Sequence, residues 1–188
     1  MNLYYQNVLE KEKIMKISTK QIALVGILSA ITGVMAATGL GFFSVPNVSG
    51  AMTIMHIPTV IAGALGGPIV GAFTGFIFGA SSFYFFGASV GYNIIVIFLP
   101  RILIGVFSAL VFKLLSKKNV YLAGAVAGLV GTVTNTVGVV GLILVFNIYP
   151  LAALLPILAL NFPIELVVGT ALSAILLPAL NKAVKKEA

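Results

Sequence analysis

From Ile22 to Leu180 the chain is almost continuously apolar, broken only by short runs rich in Gly, Pro, Ser and Asn. A helix that crosses a bilayer needs about 20 apolar residues at a rise of about 1.5 Å each. The breaks cut the stretch into pieces of roughly that length. No fold in water accommodates this pattern: 60% of the 188 residues are hydrophobic, 8% are charged and the mean hydropathy is +1.17, too few charges to cover such a surface. The solvent is therefore lipid, where a chain with this pattern must satisfy its backbone groups internally as helices.

The first helix is expected over Ile22–Leu40, followed by a turn-rich connection, Gly41–Met52, with Pro46-Asn47 and Ser49-Gly50. A second runs from Thr53 to Leu65, about 13 residues or about 20 Å, short for a span and therefore tilted or shielded by neighbours. Gly66-Gly67-Pro68 reads as a tight turn and the third helix ends at Phe86. Gly87–Gly91 connects to a fourth over Tyr92–Leu115. After Ser116–Asn119 a fifth runs from Val120 to about Asn147, and a sixth from about Leu154 to Leu180. The expected fold class is an all-α integral membrane bundle of six transmembrane helices.

Charge placement supports that count. Ten of the eleven cations fall in three clusters: Lys11, Lys13, Lys16 and Lys20; Lys113, Lys117 and Lys118; Lys182, Lys185 and Lys186. Six crossings bring all three to the side that holds both termini, and the positive-inside rule makes that side the cytoplasm. Five crossings would send the last cluster outward. The expected layout is a cytoplasmic extension over 1–20, a membrane domain over 21–182 and a cytoplasmic tail over 183–188. The first fourteen residues are polar and mixed in charge, unlike a cleavable signal, and Met15 is as good a start as Met1.

The same residues narrow the chemistry. With no cysteine and one histidine, thiolate zinc, iron–sulfur and most other metal sites are not expected, and no cofactor motif is present. The net charge of +7 lies in membrane-flanking clusters rather than in a basic patch interleaved with aromatics, so nucleic acid is not an expected partner. There is no Walker motif, no His-Glu-x-x-His and no nucleophile elbow. An enzyme is not expected, and any energy for transport has to come from another subunit.

Function is then sought in polar residues at membrane depth, which cost several kcal/mol unless paired or facing a cavity. Arg101 and Glu165 each lie about ten residues into a helix, about 15 Å deep. Pro100 and Pro163 stand beside them and free the carbonyls of Val96 and Ala159. The pair is expected either to line a ligand cavity or to form a buried bridge that fixes the bundle. Asn161 and Glu165 share a helix face, as do Thr132, Asn135 and Thr136. Asn93 is placed to roof the same space. His56, at the mouth of the second helix, contacts ligand or caps the helix, and Tyr92, with Phe83 to Phe86, belongs to an interfacial belt or a ligand lining.

Small residues form a further pattern. Gly26 and Ala30, then Ser29, Gly33 and Ala37, repeat at four-residue spacing, as do Gly67, Gly71 and Gly75, and Gly124 and Gly128. Such stripes allow close approach of another helix, inside the bundle or on a membrane partner.

Six helices in this length, a small-residue first helix, Ile54-Met55-His56-Ile57-Pro58, Leu65-Gly66-Gly67-Pro68 with Gly71 and Gly75, and Leu99-Pro100-Arg101 together resemble the S components of energy-coupling factor (ECF) transporters. The resemblance extends over nearly the whole chain from Met15. It implies a cell-membrane protein that captures a vitamin from outside as the binding subunit of an ABC-type importer, with a transmembrane coupling protein and two cytoplasmic ATPases as partners. It also implies that Gly26, Ser29, Ala30 and Gly33 dock the coupling protein. The similarity is greatest to the branch serving pantothenate, hydroxymethylpyrimidine and pyridoxine-type vitamins. A deep arginine suits the carboxylate of pantothenate, with asparagines for its amide and hydroxyls; were Glu165 to neutralise Arg101, a neutral ring would be served equally. The competing expectation is an assembly protein held by an Arg101–Glu165 bridge.

Overall fold

A computed structural model describes residues 18–48 and 50–186. Met15, Lys11, Lys13, Lys16 and Ser49 lie outside the described residues. Among the described residues five segments are long and apolar enough to cross a membrane. They are α1 (Thr19–Ala37), α3 (Pro68–Phe86, extended by a 3₁₀ turn, Gly87–Val90), α4 (Ile94–Leu115), α5 (Val120–Val145) and a last composite run. That run comprises α6 (Leu151–Pro156), a π turn (Ile157–Asn161) and α7 (Phe162–Lys186). Between α1 and α3 lies the short α2 (His56–Gly66), so the six expected helices occur in the expected order.

At about 16 Å, α2 cannot span a bilayer, and nearly all of it is buried against α1, α3, α4, α5 and α7. Protein rather than lipid surrounds it. Glycine permits this closeness. A methyl group on Gly71 would lie 2.6 Å from the Gly105 carbonyl oxygen, and Gly63 and Gly75 meet the α4 backbone at Gly105 and Arg101 in the same way. Gly128 brings α5 against Gly169 and Ser173 of α7. The stripes on α3 and α5 thus serve internal packing. On α1 the situation differs, since a methyl on Gly26 or Gly33 would meet nothing within 4 Å.

The lysine-bearing end of the bundle is stitched by side chains. Ser18 and Gln21 form a capping box at the start of α1. Gln21 Nε2 also donates to the Gly66 carbonyl at 2.9 Å, and Lys20 Nζ to the Val184 carbonyl at 2.7 Å. The start of α1, the α2–α3 turn and the end of α7 are thereby held together.

At the opposite end, the expected Gly41–Met52 connection contains an antiparallel hairpin of β1 (Phe42–Ser44) and β2 (Ala51–Thr53), with Phe42 opposite Thr53. The helices on either side are accordingly shifted from expectation: α1 ends at Ala37 and α2 begins at His56. The composite last run starts earlier than expected, at Leu151. It is re-phased by the π turn that Pro156 and Pro163 bracket, where missing N–H donors loosen the regular ladder. Its helical part continues to Lys186, past the expected end at Leu180.

Candidate functional site

Beneath the hairpin lies a cavity of ≈ 120 Å³ walled by α3, α4, α5, the π turn and α7. Of the residues singled out from sequence, Arg101, Asn135, Asn161 and Glu165 line it together. Thr53, Ser82, Ser89 and Thr136 add polar groups, and Phe42, Phe86, Tyr149 and a set of valines and isoleucines supply the apolar wall. This mixture of a mostly apolar lining and a few convergent polar groups is typical of small-molecule sites.

Arg101 is placed by the proline before it. Pro100 has no N–H to give to Val96, and Arg101 Nη1 takes that carbonyl at 3.1 Å. The guanidinium also sits 5.5 Å from the Phe78 ring centroid, a cation–π distance. Its Nε is buried without a hydrogen-bond partner. Glu165, which is 5% exposed, accepts a 2.7 Å hydrogen bond at Oε1 from the Thr53 backbone N–H. Among the described residues no ion pair within 4 Å joins Arg101 to Glu165, so the bridge expected as an alternative is not formed. The two face a common space, each held by its own backbone partner.

Asn161 belongs with the hairpin. Its Oδ1 accepts from Asn47 Nδ2 at 3.0 Å and its Nδ2 donates to the Ala51 carbonyl at 3.3 Å. With the Thr53–Glu165 contact, three hydrogen bonds among the described residues tie the hairpin to one face of the π turn and α7. Phe42 packs on Phe86 with ring centroids 4.4 Å apart, and both rings reach the cavity. Asn135 is the contrasting case. It is 5% exposed, its Oδ1 is buried, and it makes no hydrogen bond to any described residue.

Three expected site residues lie away from the cavity lining. His56 begins α2 instead of standing above it, is fully buried, and has Nε2 2.9 Å from Thr132 Oγ1 in a space left by Gly169. It bolts α2 to α5 and α7 within the core. Asn93 does not roof the cavity, because its Oδ1 caps α4 by accepting from the N–H groups of Ile95 and Val96 at 3.1 and 3.2 Å. Tyr92, in a left-handed backbone conformation (φ 53°), packs at a tilt against Phe83 and is 54% exposed. Sequence reasoning missed Phe42, Val48 and Tyr149, which sit in connections where no periodicity marks a facing side.

A family model described as ECF transporter, substrate-specific component matches residues 20–183, nearly all of the described chain. The chain belongs to the ECF S-component family. No individual curated protein matches it. S components are substrate-binding membrane subunits, not enzymes, and work with an ECF module of a membrane coupling protein and ATPases. In this S component the cavity under the hairpin gathers Arg101, Asn135, Asn161 and Glu165, and among the described residues its arginine has no carboxylate within 4 Å.

Proposed function

We propose that this S component captures a small water-soluble vitamin from outside the cell, pantothenate first and a hydroxymethylpyrimidine or pyridoxine-type compound next, and delivers it to a coupling protein and two cytoplasmic ATPases. The observation that carries the substrate choice is Arg101. A guanidinium held deep in the bundle with no carboxylate within 4 Å, Glu165 standing farther off across the same cavity, is costly, and a carboxylate brought by the ligand supplies a direct partner in the bidentate geometry that Arg favours. Asn135, Glu165 and Asn161 complete the ligand's surroundings, the last two while holding the hairpin. His56, Asn93 and Tyr92 act at a distance, by fixing α2 and the start of α4.

The lysine-bearing end faces the cytoplasm, with both termini there, and the hairpin end faces outward. Residues 21–182 form the membrane domain, with 1–20 and 183–188 as its cytoplasmic extensions. Gly26, Ser29, Ala30 and Gly33 on α1 form the docking face for the coupling protein. In support, α1 packs chiefly on α2 and α3, Ala30 is exposed, and Gly26 and Gly33 have open space beside them.

Calorimetric titration of the purified protein with pantothenate, hydroxymethylpyrimidine and pyridoxine tests the substrate. Pantothenate should bind most tightly, and Arg101→Ala should weaken it more than tenfold, that is by more than about 1.4 kcal/mol. Tight binding of a neutral vitamin that Arg101→Ala leaves unchanged would remove the carboxylate assignment.

A further inference from the structure

The hairpin forms one side of the cavity mouth, and a different pair of connections forms the other. The α3–α4 connection is a compact turn: the N–H groups of Gly91, Tyr92 and Asn93 donate to the carbonyls of Ala88, Gly87 and Val90 at 3.2, 2.7 and 3.2 Å. Ser89 within it donates from Oγ to the Phe86 carbonyl at 2.8 Å. The α5–α6 connection is equally constrained. Asn147 takes a left-handed conformation (φ 53°) that ends α5, the N–H of Ile148 returns to the Ile143 carbonyl at 3.0 Å, and Pro150 leads into α6.

Tyr149 lies between those constraints and joins the two connections. Its hydroxyl donates to the Ser89 carbonyl at 2.7 Å across a separation of 60 residues. Its ring packs against the small apolar cluster of Val96, Val140, Ile143 and Leu154 and lines the cavity, as Ser89 does. The tie therefore acts at the rim of the cavity itself.

We infer that Tyr149 is a positioning residue for capture: its hydroxyl clamps the α3–α4 turn to the α5–α6 connection, giving the mouth one rigid rim against which a bound substrate is retained. The role rests on the capture reading above. The clamp is a single neutral hydrogen bond between two loops that are each internally ordered. Its loss loosens the rim without unfolding the bundle, and the effect falls on substrate departure more than on arrival.

Tyr149→Phe removes the hydroxyl and keeps the ring. Two measurements separate the clamp from the capture reading. Hydrogen exchange on the detergent-solubilised protein should show the amides of Gly91, Tyr92 and Asn93 exchanging about tenfold faster in Tyr149→Phe, with the middles of α4 and α5 unchanged. The dissociation rate of whichever vitamin among pantothenate, hydroxymethylpyrimidine and pyridoxine binds the unmodified protein best should rise at least about threefold, with the association rate little altered. Tyr121→Phe, at an exposed ring on the first turn of α5 and outside the cavity lining, is the control and should release substrate at the unmodified rate. Unchanged exchange in Tyr149→Phe would overturn the clamp, and faster exchange with unchanged dissociation would overturn its role in retention. If none of the three vitamins binds the unmodified protein, the capture reading and the retention role fall together, while the exchange result still decides whether the clamp exists.

Discussion

Asn135→Leu should make the empty protein more stable and reduce what substrate adds to its stability. Asn135 is 5% exposed, its Oδ1 is buried, and no described residue offers it a hydrogen bond. An unsatisfied buried polar group of this kind costs about 1–3 kcal/mol, and replacing it with an apolar group of similar size recovers much of that. Leucine has comparable volume, and Val139 and Val140 line the same wall. The ligand-free variant should therefore melt several degrees higher in detergent. With substrate that advantage shrinks, because on the proposed reading the carboxamide pairs with the ligand. At a hundredfold excess over Kd the unmodified protein gains about 2.7 kcal/mol from binding. If the variant binds tenfold more weakly, the same concentration gives it only about 1.4 kcal/mol. Thermal unfolding with and without pantothenate, followed by a fluorescent reporter, reads both effects in one plate. A lower melting temperature for the empty variant would mean that Asn135 is a structural residue. Unaltered affinity would mean that it does not face the ligand.

Three other outcomes follow from the geometry. Glu165→Gln keeps an acceptor for the Thr53 N–H and should bind substrate within about threefold of the unmodified protein, whereas Glu165→Ala should bind more than about tenfold more weakly, as calorimetry can decide; equal losses would mean that the charge, not the hairpin contact, matters. Ala30→Leu or Gly33→Leu should leave binding in detergent unchanged while lowering uptake by cells, since among the described residues Ala30 is exposed and Gly33 has open space beside it; equal loss of both would place the stripe in internal packing. A cysteine at Ala88 should react with an impermeant maleimide on intact cells and one at Lys118 should not, and labelling of Lys118→Cys from outside would reverse the orientation.

The helices were legible because lipid imposes a simple rule on sequence: a span needs a long apolar run, and Gly-Gly-Pro or an Asn-headed turn ends it. The placement of Arg101 was legible for a similarly local reason, since Pro100 necessarily frees the Val96 carbonyl. The hairpin was not. Strands of three residues carry no usable alternation, and their pairing depends on Phe42 meeting Thr53 across a turn. The burial of His56 was not legible either, because it depends on Thr132 Oγ1 and on the space left by Gly169, on helices far along the chain. Asn93 was read as a ligand group for want of knowing that its side chain had a helix to cap. Nothing in the sequence marks Tyr149, and only the approach of two connections 60 residues apart gives its hydroxyl a partner.

The central claim is that the cavity around Arg101 holds a vitamin that carries a carboxylate. Mass spectrometry of the small molecules released from protein purified in mild detergent, compared with the same preparation of Arg101→Ala, tests it most directly. The account predicts pantothenate or another carboxylate-bearing compound in near-equal proportion to the unmodified protein and little or none with the variant. A neutral compound retained by both proteins would contradict it.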